Sequence, residues 1–162
     1  MTRVSRRVNA SREAVYRALL DARAVATWMV PDGMTSHVHA FDPREGGAFR
    51  ISLTYDAPTG TGKTTAHTDT YHGHFVKLIP DEQLVEVVEF ETADPALRGE
   101  MTITISLTDA AGAADAATAV EADGGTNVLA LHEGLPPGVG TADNETGWQS
   151  SLAKLAALVE AS

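Results

Sequence analysis

The sequence predicts an α+β protein, a strongly curved antiparallel sheet folded around one long C-terminal helix. Three observations carry this. Strand-like alternation dominates from Met34 to Glu133. The two short helical stretches before it span only about twenty residues, too few to build a bundle. Near the C-terminus, Trp148, Leu152, Leu155 and Val159 recur at i, i+4, i+7 and i+11, one apolar stripe of a helix. A one-sided antiparallel sheet must cover its apolar face, and this helix is the one large cover available. A bent sheet cannot touch a single helix everywhere, so a gap between them is expected, and a gap is a pocket.

Each element has its own signal. Val4 to Asn9 reads as a first strand. Ser11 is a good N-cap for a helix carrying Val15, Ala18, Leu19 and Ala22, and Asp21 caps a second with Val25 and Trp28, stopped by Pro31-Asp32-Gly33. Gly46-Gly47 separates two strands as a hairpin turn would. Phe49, Ile51, Leu53 and Tyr55 alternate with Arg50, Ser52 and Thr54, which predicts a half-buried strand facing the long helix. Thr65 to Ile79 holds a long strand, with Gly73 expected at a bulge. Pro80-Asp81-Glu82 turns into Leu84 to Glu91. Met101, Ile103, Ile105 and Leu107 alternate with Thr102, Thr104 and Ser106, the clearest strand of all. Thr126 to Glu133 is the last. Asp109 to Gly125, rich in alanine and glycine, reads as a surface insertion longer than a hairpin needs. Leu135-Pro136-Pro137-Gly138 is a rigid turn. The final helix is expected from Asp143 to Glu160, capped by Thr141 or Asp143, with Glu145 complementing its dipole.

The bulk numbers narrow the function. The 162 residues fit one domain over 1–162, long enough to bury a core without staples. There is no cysteine, which excludes disulfides, thiolate metal sites and cysteine nucleophiles. The net charge of -10 opposes phosphate backbones and anionic lipid, so neither nucleic acid nor membrane is an expected partner. No apolar run approaches a membrane span or a signal peptide, and a cytoplasmic location is expected.

Three groups of residues invite a chemical reading. Ala57-Pro58-Thr59-Gly60-Thr61-Gly62-Lys63-Thr64 matches a relaxed phosphate-loop pattern, but Thr65, Thr68, Thr70 and Tyr71 favour a strand where a helix is required, so it reads as a Gly-rich hairpin loop. His37 with His39, and His72 with His74, form i, i+2 pairs suited to a metal, yet an intervening strand would hold the pairs roughly 10 Å apart, and no metal is expected. His67, Asp69 and Tyr71 alternate on one face. Asp69 could hold a base and Tyr71 could donate to an oxyanion, but no nucleophile stands beside them, and a polar outer face is the plainer reading.

The element order, with Asp42-Pro43-Arg44-Glu45-Gly46-Gly47-Ala48-Phe49, Tyr71-His72-Gly73-His74-Phe75, Gly99-Glu100-Met101-Thr102, Gly125-Thr126, His132-Glu133-Gly134 and Gly147-Trp148, resembles the SRPBCC (START-like, helix-grip) superfamily over essentially the whole chain. Within it, the chain is similar to the AHSA-type branch, named after the activator of the heat-shock-protein ATPase. The resemblance implies a helix-grip fold of seven strands with an elongated internal cavity. Relatives include lipid carriers, polyketide cyclases and aromatase-like enzymes. The Asp109 to Gly125 stretch is longer than the family's usual turn.

Three functions follow as expectations. The first is binding of a mostly apolar small molecule between sheet and helix, without cofactor, contacted by Trp28, Met34, Phe49, Tyr55, Tyr71, His132, Trp148 and Leu152. Tyr55, Tyr71, His132 and Trp148 carry the polar atoms that would fix a ligand's polar end. The second is a cyclase- or hydrolase-type enzyme in the same cavity, with Asp69, Tyr71, His132 and Glu133 as ionisable candidates. The third is an interaction module stimulating a chaperone ATPase. Edge strands also leave pairing into a homodimer open.

Overall fold

The computed structural model describes residues 1–57, 62, 67–110 and 125–161. The elements run β1 (Thr2–Val8), α1 (Arg12–Leu19), α2 (Ala22–Trp28), β2 (Met34–Phe41), β3 (Ala48–Tyr55), β4 (Thr68–Ile79), β5 (Gln83–Phe90), β6 (Met101–Asp109), β7 (Thr126–Glu133) and α3 (Thr141–Glu160). The strands form one seven-stranded antiparallel sheet in the order β1-β7-β6-β5-β4-β3-β2, so β2 to β7 is a meander and β1 closes beside the last strand. The helix-grip architecture is thus present, with α3 packed against β1 and the two short helices.

Local chemistry explains the boundaries. The Ser11 side chain accepts from the Ala14 N–H at 3.1 Å, and Asp21 accepts from Arg23 and Ala24 at 2.9 and 3.2 Å, so both expected caps are in place. Trp28 folds back and donates its indole N–H to the Ala18 carbonyl at 3.1 Å, locking α2 onto α1. Gly46 takes φ +81° in the β2–β3 turn, where a side chain would be strained.

Two expectations need correction. Gly73 is not a bulge: it pairs with Phe49 and Val88, and the irregularity in β4 falls between Phe75 and Lys77. Gly73 is instead a close approach, since a Cβ there would collide with the Val87 carbonyl oxygen and the Phe49 ring. The α3 N-cap is Gly140, without a side-chain cap bond; Thr141 is the first helical residue and Asp143, not Glu145, is the acidic residue of the first turn. The phosphate-loop-like stretch and the alanine-rich stretch fall mostly at 58–61, 63–66 and 111–124, outside the described residues.

The core lies between the concave face of the sheet and the helices. Val8, Ile51, Phe75, Leu84, Met101, Ile105 and Val128 from the sheet meet Val15, Trp28, Leu152 and Leu155 from the helices, all essentially inaccessible. Apolar burial of this kind stabilises by roughly 25 cal/mol per Å². It does not fill the whole concavity.

Candidate functional site

Among the described residues, two spaces inside the grip stand out. The larger, about 560 Å³, lies between the sheet and the N-terminal half of α3; its walls include Leu53 and Tyr55 of β3, Asp69 and Tyr71 of β4, Val88 and Phe90 of β5, Met101 and Ile103 of β6, His132 of β7 and Trp148 of α3. Its size falls in the range of small-molecule sites. The smaller, about 10 Å³, has room for one water-sized group. It lies beneath the short helices, among Leu19, Val25, Trp28, Phe49, Ile51, Leu84 and Glu86. Met29 and Tyr71 belong to the walls of both.

The predicted site residues distribute between these spaces. Met34, Tyr55, Tyr71, His132 and Trp148 line the large cavity. Met34 and Tyr55 pair across β2 and β3, which sets them together at the sheet margin. Trp28 and Phe49 line the small chamber. Leu152 lines neither; it is 1 % exposed, inside the packed core.

His132 is held in the wall by side chains from β6 and α3. Trp148 Nε1 donates to His132 Nδ1 at 3.0 Å, and Asn144 Nδ2 reaches the same nitrogen at 3.2 Å while also donating to Thr2 Oγ1 at 2.9 Å. An indole nitrogen only donates, so Nδ1 is the bare acceptor and the imidazole proton sits on Nε2. Nε2 faces the Met101 sulfur at 3.2 Å. Burial, with the amino-terminal charge adding, pushes the His132 pKa down to about 4. The ring is therefore neutral at physiological pH, a donor toward sulfur rather than a base.

Asp69 and Tyr71 overturn the expectation of a polar outer face. Across β3 their partners are Leu53 and Ile51, which point inward, and Asp69 is only 3 % exposed. His67, the third member of that series, is exposed. Glu133 lies on the opposite face from His132 and is exposed, so it takes no part in the cavity.

The outer face holds His37, His39, His72 and His74. His72 contacts Glu89 and Glu91, both at 3.1 Å, and Arg50 forks onto Glu91 at 2.8 and 2.9 Å, which lowers the Glu91 pKa. His37 and His39 stack edge to face at 4.5 Å on β2, and His39 bonds Ser52 at 2.7 Å. Among the described residues, no three or more His, Asp or Glu side chains are grouped so as to hold a metal ion.

The sequence reading missed one group. Glu86 projects from β5 on the same face as Leu84 and Val88, is 6 % exposed, and has no hydrogen bond or ion pair among the described residues. Burial pushes its pKa up to about 8. The Tyr71 hydroxyl pKa is also raised, first by burial and then by Glu86.

Comparison with known proteins places this geometry. The family model described as "Activator of Hsp90 ATPase homolog 1-like protein" matches residues 9–160. A crystal structure of a Chromobacterium violaceum protein is 31% identical, with a TM-score of 0.80, covering 98% of this chain and 95% of that one. A Rhodobacter sphaeroides protein is similar in fold at 19% identity and TM-score 0.72, covering 99% of this chain and 93% of that one. A protein of the dynemicin biosynthetic locus shares the fold at 22% identity and TM-score 0.63; the match covers 98% of this chain and 46% of that one. A search of curated proteins gave no match. Among the described residues no helix is long and apolar enough to cross a membrane.

Proposed function

The chain belongs to the family of Activator of Hsp90 ATPase homolog 1-like proteins, and from that premise we propose that it binds a mostly apolar small molecule in the cavity between the sheet and α3. The observation that carries the proposal is the space of about 560 Å³ left between the sheet and α3, walled by aliphatic, sulfur and aromatic side chains on the sheet side and by a more polar set that includes Asp143, Asn144 and Ser151 on the helix side. Met34, Tyr55, Tyr71, His132 and Trp148 are its contact residues in this reading. Trp28 and Phe49 support the deep end, and Leu152 backs the wall.

Native mass spectrometry of the purified protein tests it. A reproducible added mass, lost on denaturation, is the expected result. A bare mass, together with no change in tryptophan emission on titration with apolar probes, would overturn the reading.

A second reading, an enzyme in the same cavity, is favoured by one specific observation: Asp69, Tyr71 and His132 all line it. Turnover would show as a difference in mass between the compound supplied and the compound released. The family description also names an ATPase activator. An Hsp90 ATPase assay with and without the chain separates that activity from ligand binding, and no stimulation is expected here.

A further inference from the structure

We propose that Glu86 sets the ligand class: with Tyr71 it forms the polar end of the site and takes the ammonium group of a lipophilic primary amine, to the exclusion of fatty-acid carboxylates. The inference rests on the binding reading above and deepens it. Four observations support it.

The first is position. Glu86 stands one inward step along β5 from Val88, which lines the large cavity, and Tyr71 belongs to both walls. A ligand in the large cavity whose end passes Tyr71, a wall residue of both spaces, would meet Glu86. The second is the absence of a partner: Glu86 is 6 % exposed and its carboxyl makes no hydrogen bond among the described residues, a polar group that a ligand would satisfy. The third is sign. No Arg or Lys lines either space among the described residues, whereas acidic side chains do. An incoming carboxylate would find no counter-charge there, while an ammonium finds Glu86 and the π-faces around it. The fourth is size. The small chamber admits one water-sized group, the dimensions of a primary ammonium and not of a trimethylammonium.

Proton balance follows. Burial holds the Glu86 proton at neutral pH. An arriving ammonium pairs with the carboxylate, so one proton leaves Glu86 for solvent and no bond other than that O–H breaks. Tyr71 is the one other titratable side chain on the chamber wall; β3, β6 and the short helices present apolar groups and the Trp28 indole, already bonded to Ala18. Affinity for an amine should rise about ninefold from pH 6 to 7 and about fivefold from pH 7 to 8, levelling off as the carboxyl ionises unaided.

The test uses four ten-carbon probes below their micelle concentrations: decylamine, decanol, decyltrimethylammonium and decanoate. Binding is followed by tryptophan emission in the full chain and in Glu86→Gln. Decylamine should bind at least tenfold tighter than decanoate and than the trimethyl compound. Glu86→Gln should lose at least tenfold for decylamine, lose its pH dependence, and leave decanol unchanged. Decanoate binding as tightly as decylamine would overturn the assignment and leave the cavity reading standing. Undiminished decylamine binding to Glu86→Gln would mean adsorption to the acidic surface and overturn it too. If no probe binds either protein, the cavity reading itself fails and this inference with it.

Discussion

Replacing Glu86 by glutamine should make the protein more stable at neutral pH and reverse the way its stability responds to acid. The folded carboxyl has its pKa at about 8 against an ordinary 4.5. It binds its proton more tightly folded than unfolded, so acid favours the folded state. The penalty is absent below pH 4.5, grows by about 1.4 kcal/mol per pH unit above it, and reaches about 3 kcal/mol at pH 7. His132 acts in the other direction. Its folded pKa of about 4 lies below the ordinary 6.5, so its contribution is intact above pH 6.5 and is lost as pH falls toward 4, up to about 3 kcal/mol. Between pH 4.5 and 6.5 the two slopes cancel. The wild-type protein should show a flat stability there and a decline from 6.5 to 8. Glu86→Gln should be flat above 6.5 and fall on acidification below it. Urea unfolding by far-UV circular dichroism at pH 4.5, 5.5, 6.5 and 7.5 reads both curves. Any cost of the unpaired amide is independent of pH, so the slopes decide. Parallel curves for the two proteins would rule out a raised Glu86 pKa in the folded state.

Three further outcomes are expected. Trp148→Phe removes the stronger of the two donors to His132 Nδ1 and should cost about 1–2 kcal/mol in the urea midpoint, with the His132 imidazole shifts moving in NMR. Gly73→Ala places a Cβ against the Val87 carbonyl oxygen and the Phe49 ring, and should destabilise by at least about 2 kcal/mol, which thermal unfolding would register as a lower Tm. Asp21→Ala removes the acceptor for two N–H groups at the start of α2 and should cost about 1 kcal/mol by urea unfolding, without altering ligand binding.

Much of the scaffold was legible because its signals are local. The alternation of Met101 to Leu107 and the caps Ser11 and Asp21 each involve neighbours in sequence. The site was less so. Asp69 and Tyr71 look polar enough to face water, yet they share parity with Phe75, which is buried, and that parity was the usable signal. Glu86 was harder: Leu84, Glu86 and Val88 alternate with Val85 and Val87, so both faces of β5 carry aliphatic residues and parity alone does not choose one. The His132 network is invisible to any pattern. Thr2, Met101, His132, Asn144 and Trp148 come from β1, β6, β7 and α3, and only the fold brings them together.

That network also bears on the order in which the molecule assembles. β2 to β7 form successive neighbour pairs, each closed by a connection that returns the chain to the strand beside it. The β1–β7 pair is different: Thr2 meets His132 across nearly the entire sequence, a loop whose closure entropy must be met before any of its contacts exist. Asn144 can bridge Thr2 and His132 only after that closure and after α3 has docked. The cavity wall at His132 should therefore be completed late in folding. In refolding, Trp148 fluorescence should mature after the meander has formed, so an intermediate with a complete meander would still have no binding site.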